Sequence, residues 1–201
     1  VIEPYNAAWE KRGGGEKPKL PVIFSHGCYA GIGTLDDLVE GEDCEDDNWH
    51  SGSFNAWNIN LCDEDVRQVF ASEGLIGVCF DQRIAGRKPK ENVPEAMLAD
   101  IILRHIFAFV DVIMLDDRIA AEEKAKVWDC VMIGSDYDGL IDPVSCFPTA
   151  MAMDDFSDAL ERELRKRSHT RQIDEIGVEV LVEKICWRNG YDFALRHLPK
   201  K

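Results

Sequence analysis

Three short runs of apolar residues set the rhythm of this chain, and polar residues close each of them. Leu20 to Phe24 ends at Ser25-His26-Gly27, Leu75 to Phe80 ends at Asp81, and Cys130 to Gly134 ends at Ser135-Asp136. None alternates apolar with polar, as a half-exposed strand would, so each reads as a parallel strand buried on both faces. The C-terminal ends of such strands are where α/β folds place their chemistry, and the polar residues fall there.

Helical patterns fill the intervals. Asn60 can cap a helix from Leu61 to Glu73, with Asp63, Glu64 and Asp65 near its positive end and Gly74 closing it; Val66, Val69 and Phe70 form its apolar stripe. A second helix begins near Pro94 and runs to about Leu115, and a third covers Ala120 to Val127. Phe156 to Arg167, Ile173 to Cys186 and a short Tyr191 to Leu198 segment follow. This alternation calls for a parallel sheet with helical crossovers, an α/β fold. Three strands do not close a barrel: a (β/α)₈ domain takes about 250 residues, and this chain has 201. Between the first strand and the first helix lies a long acidic loop, about 27–59; within it Asp36 to Asp47 reads as solvated.

Composition narrows the classes. A net charge of -15 and a pI near 4.7 repel phosphate backbones, which argues against nucleic acid as a partner. The longest apolar stretch, Ile101 to Leu115, contains Arg104, His105 and Asp111, and so reads as a buried helix rather than a membrane span. The opening Val-Ile-Glu-Pro-Tyr is not a signal peptide and starts in mid-pattern, so further sequence upstream is expected. Seven cysteines without Cys-x-x-Cys spacing do not form a disulfide framework. Cys79, Cys130 and Cys186 lie in apolar runs and read as buried thiols, which favours a reducing, cytoplasmic setting.

His26 and Asp136 stand out as chemistry. A histidine directly after a buried strand and before Gly27 can turn its ring into a crevice, as a zinc ligand or as a residue capping the strand end. Asp136, in Gly134-Ser135-Asp136-Tyr137-Asp138-Gly139, can bind a metal and take a proton from metal-bound water, while Asp138-Gly139 supplies the turn. Asp81 and Arg83 either face the site, with Arg83 holding a substrate carboxylate, or pair to fix the loop. Asp43, Asp46, Asp47 and His50 either bind a cation or belong to a solvated insertion. Gly31-Ile32-Gly33 lacks the third glycine of a dinucleotide fingerprint, and no phosphate loop or nucleophile elbow is present. Cys28 beside His26 has no evident third member for thiol catalysis.

These motifs resemble the membrane (renal) dipeptidases, metallopeptidases of the amidohydrolase superfamily. Pro21-Val22-Ile23-Phe24-Ser25-His26 resembles the family's sixth strand, and Asn60 to Val66 the helix start that follows. Gly74-Leu75-Ile76-Gly77-Val78 resembles strand seven. Ile133 to Gly139 is similar to the strand-eight Gly-Ser-Asp-Phe-Asp-Gly motif, the most specific of the set. Ile185 to Gly190 resembles the terminal helix, where an Asn-containing segment closes the barrel.

The resemblance implies the C-terminal part of a (β/α)₈ TIM barrel, strands six to eight, with one or two divalent ions, usually zinc, at its mouth. His26 would be the strand-six ligand, and Asp136 the strand-eight ligand and proton acceptor for hydrolysis of a small peptide or amide. The family's His-x-Asp of strand one, bridging Glu of strand three and His of strand five have no counterpart here, so they would lie upstream or in another chain, with homo-oligomers an option. The family's Arg before the helix-starting Asn, which grips the substrate carboxylate, is replaced by Ile59, leaving Arg83 as a substitute. A metal-dependent hydrolase is therefore expected, with a non-enzymatic homologue acting as a binding or assembly module as the alternative.

Overall fold

The computed structural model describes residues 20–40, 54–86, 95–167 and 171–197. Its centre is a three-stranded, all-parallel sheet of β1 (Ile23–Gly27), β2 (Leu75–Val78) and β3 (Val131–Ile133), in that order. This is an α/β arrangement of the kind the alternating pattern called for. The central strand is buried along its whole length, as a continuous Leu-Ile-Gly-Val run demands. The first strand departs from expectation. It starts later than Leu20, and Ile23, Ser25 and His26 are all exposed, Ile23 at 51%. As an edge strand it pairs with β2 alone among the described residues.

The crossover helices are α1 (Leu35–Glu40), α2 (Asp63–Ala71), α3 (Glu95–Met114) and α4 (Ala121–Lys124). Residues 36–40 of the segment read as solvated loop are helical, exposed except at Leu38, and 41–47 lie outside the described residues. Thr34 Oγ1 accepts the Asp37 backbone N–H at 3.1 Å, and Leu38 is fully buried beside Ala30 and Cys62. Asp43, Asp46, Asp47 and His50 lie outside the described residues.

Helix α2 begins two residues later than expected. Its N-cap is Cys62, whose backbone N–H is accepted by Asp65 at 3.2 Å. Asn60 has a different task, described below. At the other end Glu73, not Gly74, takes the positive-φ conformation, at 59°. In α3, Ile102, Ile106, Phe109 and Ile113 are fully buried, at the spacing of one helix face. No helix among the described residues is long and apolar enough to cross a membrane.

After β3 come α5 (Met153–Lys166), α6 (Arg171–Ile176), α7 (Val178–Glu183) and α8 (Asn189–His197). Phe156, Ala159, Leu160 and Leu164 form the buried stripe of α5. The single helix expected over 173–186 is broken at Gly177, whose φ is 91°. It then continues through a π-helical turn at Lys184–Arg188. That turn delivers the Asn189 amide to the carbonyls of Trp128 and Val131, both at 2.8 Å, tying the last helix to the start of β3. Cys79 and Cys130 are buried as expected, whereas Cys186, on the π turn, is only partly so.

The buried histidine of α3 joins two loops. His105 Nδ1 accepts the Tyr29 backbone N–H at 3.0 Å, so the neutral ring donates from Nε2 to the Ala85 carbonyl, also at 3.0 Å. Burial, with Arg104 adding to it, lowers the His105 pKa to about 4 against the opposing Ala85 bond. The folded state therefore binds fewer protons than the unfolded chain below pH 6.5, and stability falls as pH drops from there toward 4. We predict a loss of about 2 kcal/mol between pH 7.5 and 5 from this group. Urea unfolding at the two pH values measures it, and His105→Gln, which keeps a donor and an acceptor, should flatten that pH dependence.

Candidate metal centre

The site is built where β1 stops being regular. Phe24 pairs with Ile76 and Gly27 with Val78, so three steps along β1 face two along β2. The extra residue is a bulge at Ser25-His26, and bulges re-aim side chains at strand ends. The backbone is brought close to its neighbours here: a Cβ on Gly77 or Gly134 would stand 2.1 or 2.0 Å from the Ser25 carbonyl oxygen. Glycine on β2 and directly after β3 is what lets the bulge sit down.

The bulge turns His26 toward the end of β3. Its Nε2 lies 3.9 Å from Asp136 Oδ2, with the two side chains 49% and 25% exposed. The two residues, 110 positions apart in the chain, share one rim of the sheet. Ser25 Oγ sits 2.8 Å from His26 Nδ1. With Nδ1–H donating to that hydroxyl, the Nε2 lone pair is the one that faces Asp136, the tautomer a ligand needs.

Asp136 is held from below and behind. It has φ of 61°, in the left-handed region that costs a non-glycine residue energy. The next residue anchors it. Tyr137 packs edge-on against Phe80, with ring centroids 5.7 Å apart, and its hydroxyl donates to the Phe147 carbonyl at 2.9 Å. Phe80 in turn touches Phe147 and Phe156. Gly139 closes the turn, its N–H donating to the Asp136 carbonyl at 2.8 Å. A Cβ there would come within 2.1 Å of Asp136 Oδ1, so only glycine leaves room for the carboxylate.

Polar side chains stitch the surrounding loops together. Asn60 is 2% exposed; its Oδ1 accepts the Cys28 N–H at 3.0 Å, and its Nδ2 donates to the carbonyls of Asn55 and Ile84 at 2.9 and 3.0 Å. Asp81 is 1% exposed and accepts the backbone N–H groups of Arg83 at 2.8 Å and Asp142 at 3.3 Å, besides the Arg83 guanidinium. Burial alone would raise the Asp81 pKa, but these hydrogen bonds outweigh it and hold the carboxyl below its ordinary range. Of the two readings of this pair, the loop-fixing ion pair is what forms. Arg83 itself stays half exposed. Cys28 is fully buried and burial pushes its thiol well up, so it supplies no ready thiolate.

His26 and Asp136 are thus brought together, while Ile59 is exposed on the loop before α2. Ser25 and Tyr137 are contributors that sequence reading passed over, and Gly139, read there as a turn residue, also makes room for the carboxylate. Tyr137 carried a signal: it is the one apolar side chain in the polar run from Ser135 to Gly139. The two donors stand 3.9 Å apart, wider than the ~3.4 Å between two ligands ~2.0–2.1 Å from one tetrahedral ion, so the side chains would have to close slightly to share one. Among the described residues, no group of three His, Cys, Asp or Glu side chains converges on a point.

Two substitutions probe this geometry without touching a donor. Ser25→Ala removes the partner of Nδ1 and should weaken divalent-ion affinity about 10-fold. Gly139→Ala should displace the Asp136 carboxylate and weaken it at least as much, with the melting temperature as a control for the fold. Competition against a zinc-responsive dye reads both. No protein-family model matches this chain, and no curated protein matches it either.

Proposed function

We propose that this chain is part of a metal-dependent hydrolase of amide-type bonds, dipeptidase-like, built as strands six to eight of a (β/α)₈ barrel. The observation that carries this reading is the approach of His26 Nε2 to Asp136 Oδ2, 3.9 Å apart at the C-terminal ends of parallel strands. The sheet supports the barrel: β1 and β3 each have one edge unpaired among the described residues, and unpaired parallel edges invite further strands. Those strands, from more of the same polypeptide or from another chain, would supply the remaining ligands, because a catalytic zinc takes three protein ligands and an open position.

In this reading His26 would hold a divalent ion such as zinc through Nε2, with Ser25 fixing the ring. Asp136 would be the second ligand, and its other oxygen would accept a proton from the water that adds to the carbonyl carbon and return it to the leaving nitrogen as the C–N bond breaks. A bound ion would lower the pKa of water and polarise the substrate carbonyl. Tyr137 and Gly139 hold the carboxylate in place throughout, so no reorganisation is needed when the proton moves.

The test is metal content followed by turnover. The complete protein, with the strands that supply the remaining ligands, should retain a divalent ion by elemental analysis, and His26→Ala with Asp136→Asn should abolish it. Retention of the ion by the double variant would overturn the assignment. With zinc or manganese present, a panel of dipeptides and acyl amino acids should be hydrolysed. Asp136→Asn should lower kcat by at least about 100-fold, the scale of losing a general base.

A further inference from the structure

A second gathering of charge lies at the opposite end of the sheet from His26 and Asp136. A cavity of about 700 Å³ is lined there by Gly74, directly before β2, and Cys130, directly before β3. That volume is in the range of small-molecule sites. Phe70, Ala71 and Ile119 give it an apolar wall, and the Cys130 thiol, pushed up to about 12 by burial, stays neutral. Cations reach it from four segments: Arg67 on α2, Arg118 after α3, Lys126 on the 3-10 helix Ala125–Asp129, and Arg196 on α8.

One carboxylate organises two of these cations. Asp116 is buried; its Oδ2 accepts Arg67 Nε at 2.7 Å and Arg118 Nη2 at 2.5 Å, and its Oδ1 accepts Arg118 Nε at 2.8 Å. Both guanidiniums are therefore held in fixed orientations, and Arg67 reaches Asp63 as well, at 3.2 Å. Every carboxylate on the lining is engaged. Asp116 is taken by the arginines, Asp129 by Lys184 and Glu123 by Lys126 at 3.6 Å, and Glu73 is not free either. Donors, in contrast, are left over. Among the described residues, Nη1 of Arg67 and of Arg118 has no hydrogen-bond partner. Arg196 donates to the Asp192 main-chain carbonyl at 3.3 Å and forms no ion pair among the described residues.

We propose that this cavity is a binding site for a phosphorylated small molecule, with Arg67 and Arg118 holding the phosphate. A planar carboxylate is satisfied by the fork of one arginine, whereas a tetrahedral dianion has three oxygens to meet donors arriving from several directions. Asp116 orients its two arginines before the ligand arrives, so little side-chain freedom is lost on binding. Lys126 and Arg196 add charge, and the apolar wall suits the organic part of the ligand. The site depends on neither the metal nor the hydrolase reading, because it lies at the other ends of the strands.

Phenyl phosphate and benzyl alcohol share an aromatic ring and differ in charge, and both are titrated into the full chain at constant ionic strength, with binding followed by NMR. The phosphate should bind roughly 10- to 100-fold more tightly, the range expected for charge-assisted pairs, and should shift the amides of Gly74 and Cys130. Arg118→Gln should remove most of that preference, Arg118→Lys should restore part of it, and Lys126→Gln should weaken it several-fold. Arg118 and Lys126 are 73% and 64% exposed, and their variants should melt close to the unaltered chain. Lys166→Gln, which removes an exposed charge from α5, should leave the preference intact. Equal affinity for the two probes, including no measurable binding of either, overturns the proposal whatever the variants do. Shifts confined to the rim around His26 and Asp136 overturn it too. So does an equal loss in Lys166→Gln, since the effect would then be one of overall charge.

Discussion

The loops at the strand ends depend on buried polar side chains that complete the hydrogen bonding of irregular backbone. Asn60 satisfies three main-chain groups, His105 two, and Asp81 two more, and all three side chains are almost wholly buried. Water cannot substitute at such depth, so each unmade bond would leave a group desolvated at a cost of about 1–3 kcal/mol. A core of Val, Ile and Phe packs the sheet against its helices, but it does not specify where a loop turns. These amides, imidazoles and carboxylates do.

From that framework the rest of the rim inherits its geometry. The Asn60 bridge holds the chain directly after His26, and Asp81 pins the loop that carries Asp136 through Asp142. The aromatic group of Phe80, Tyr137, Phe147 and Phe156 supports the same loop from beneath. Asp136 can therefore keep a left-handed backbone, because its neighbours on both sides are committed to packing and hydrogen bonding elsewhere. A candidate ligand that is strained, three-quarters buried and held by packed neighbours is a different object from an aspartate in a surface turn.

A single bulge settles the first strand. Had β1 kept register past Phe24, the alternation of its side chains would have sent His26 to the opposite face from the one it occupies. Gly77 on β2 and Gly134 directly after β3 make the extra residue possible, as the Ser25 carbonyl occupies the space their side chains would need. Exposure along β1 follows from its place at an edge, which also explains why a run that looked buried on both faces is not.

Apolar runs and their polar endings were enough to locate three parallel strands, the crossover helices and the candidate pair His26 and Asp136, because burial writes itself into hydrophobic periodicity. Turn chemistry at Asp138-Gly139 was legible for the same local reason. Other features were not local. Asn60 looks like a helix cap and becomes a bridge between loops, Gly74 looks like a helix stop while Glu73 takes the strained conformation, and a histidine in an apolar helix becomes a link between two loops. The convergence of His26 on Asp136, and the pairing of Arg67 and Arg118 on Asp116, depend on a bulge and on contacts between segments distant in the chain. A sequence specifies residue types along one dimension; which of them meet is decided only when the backbone has closed the distances in three.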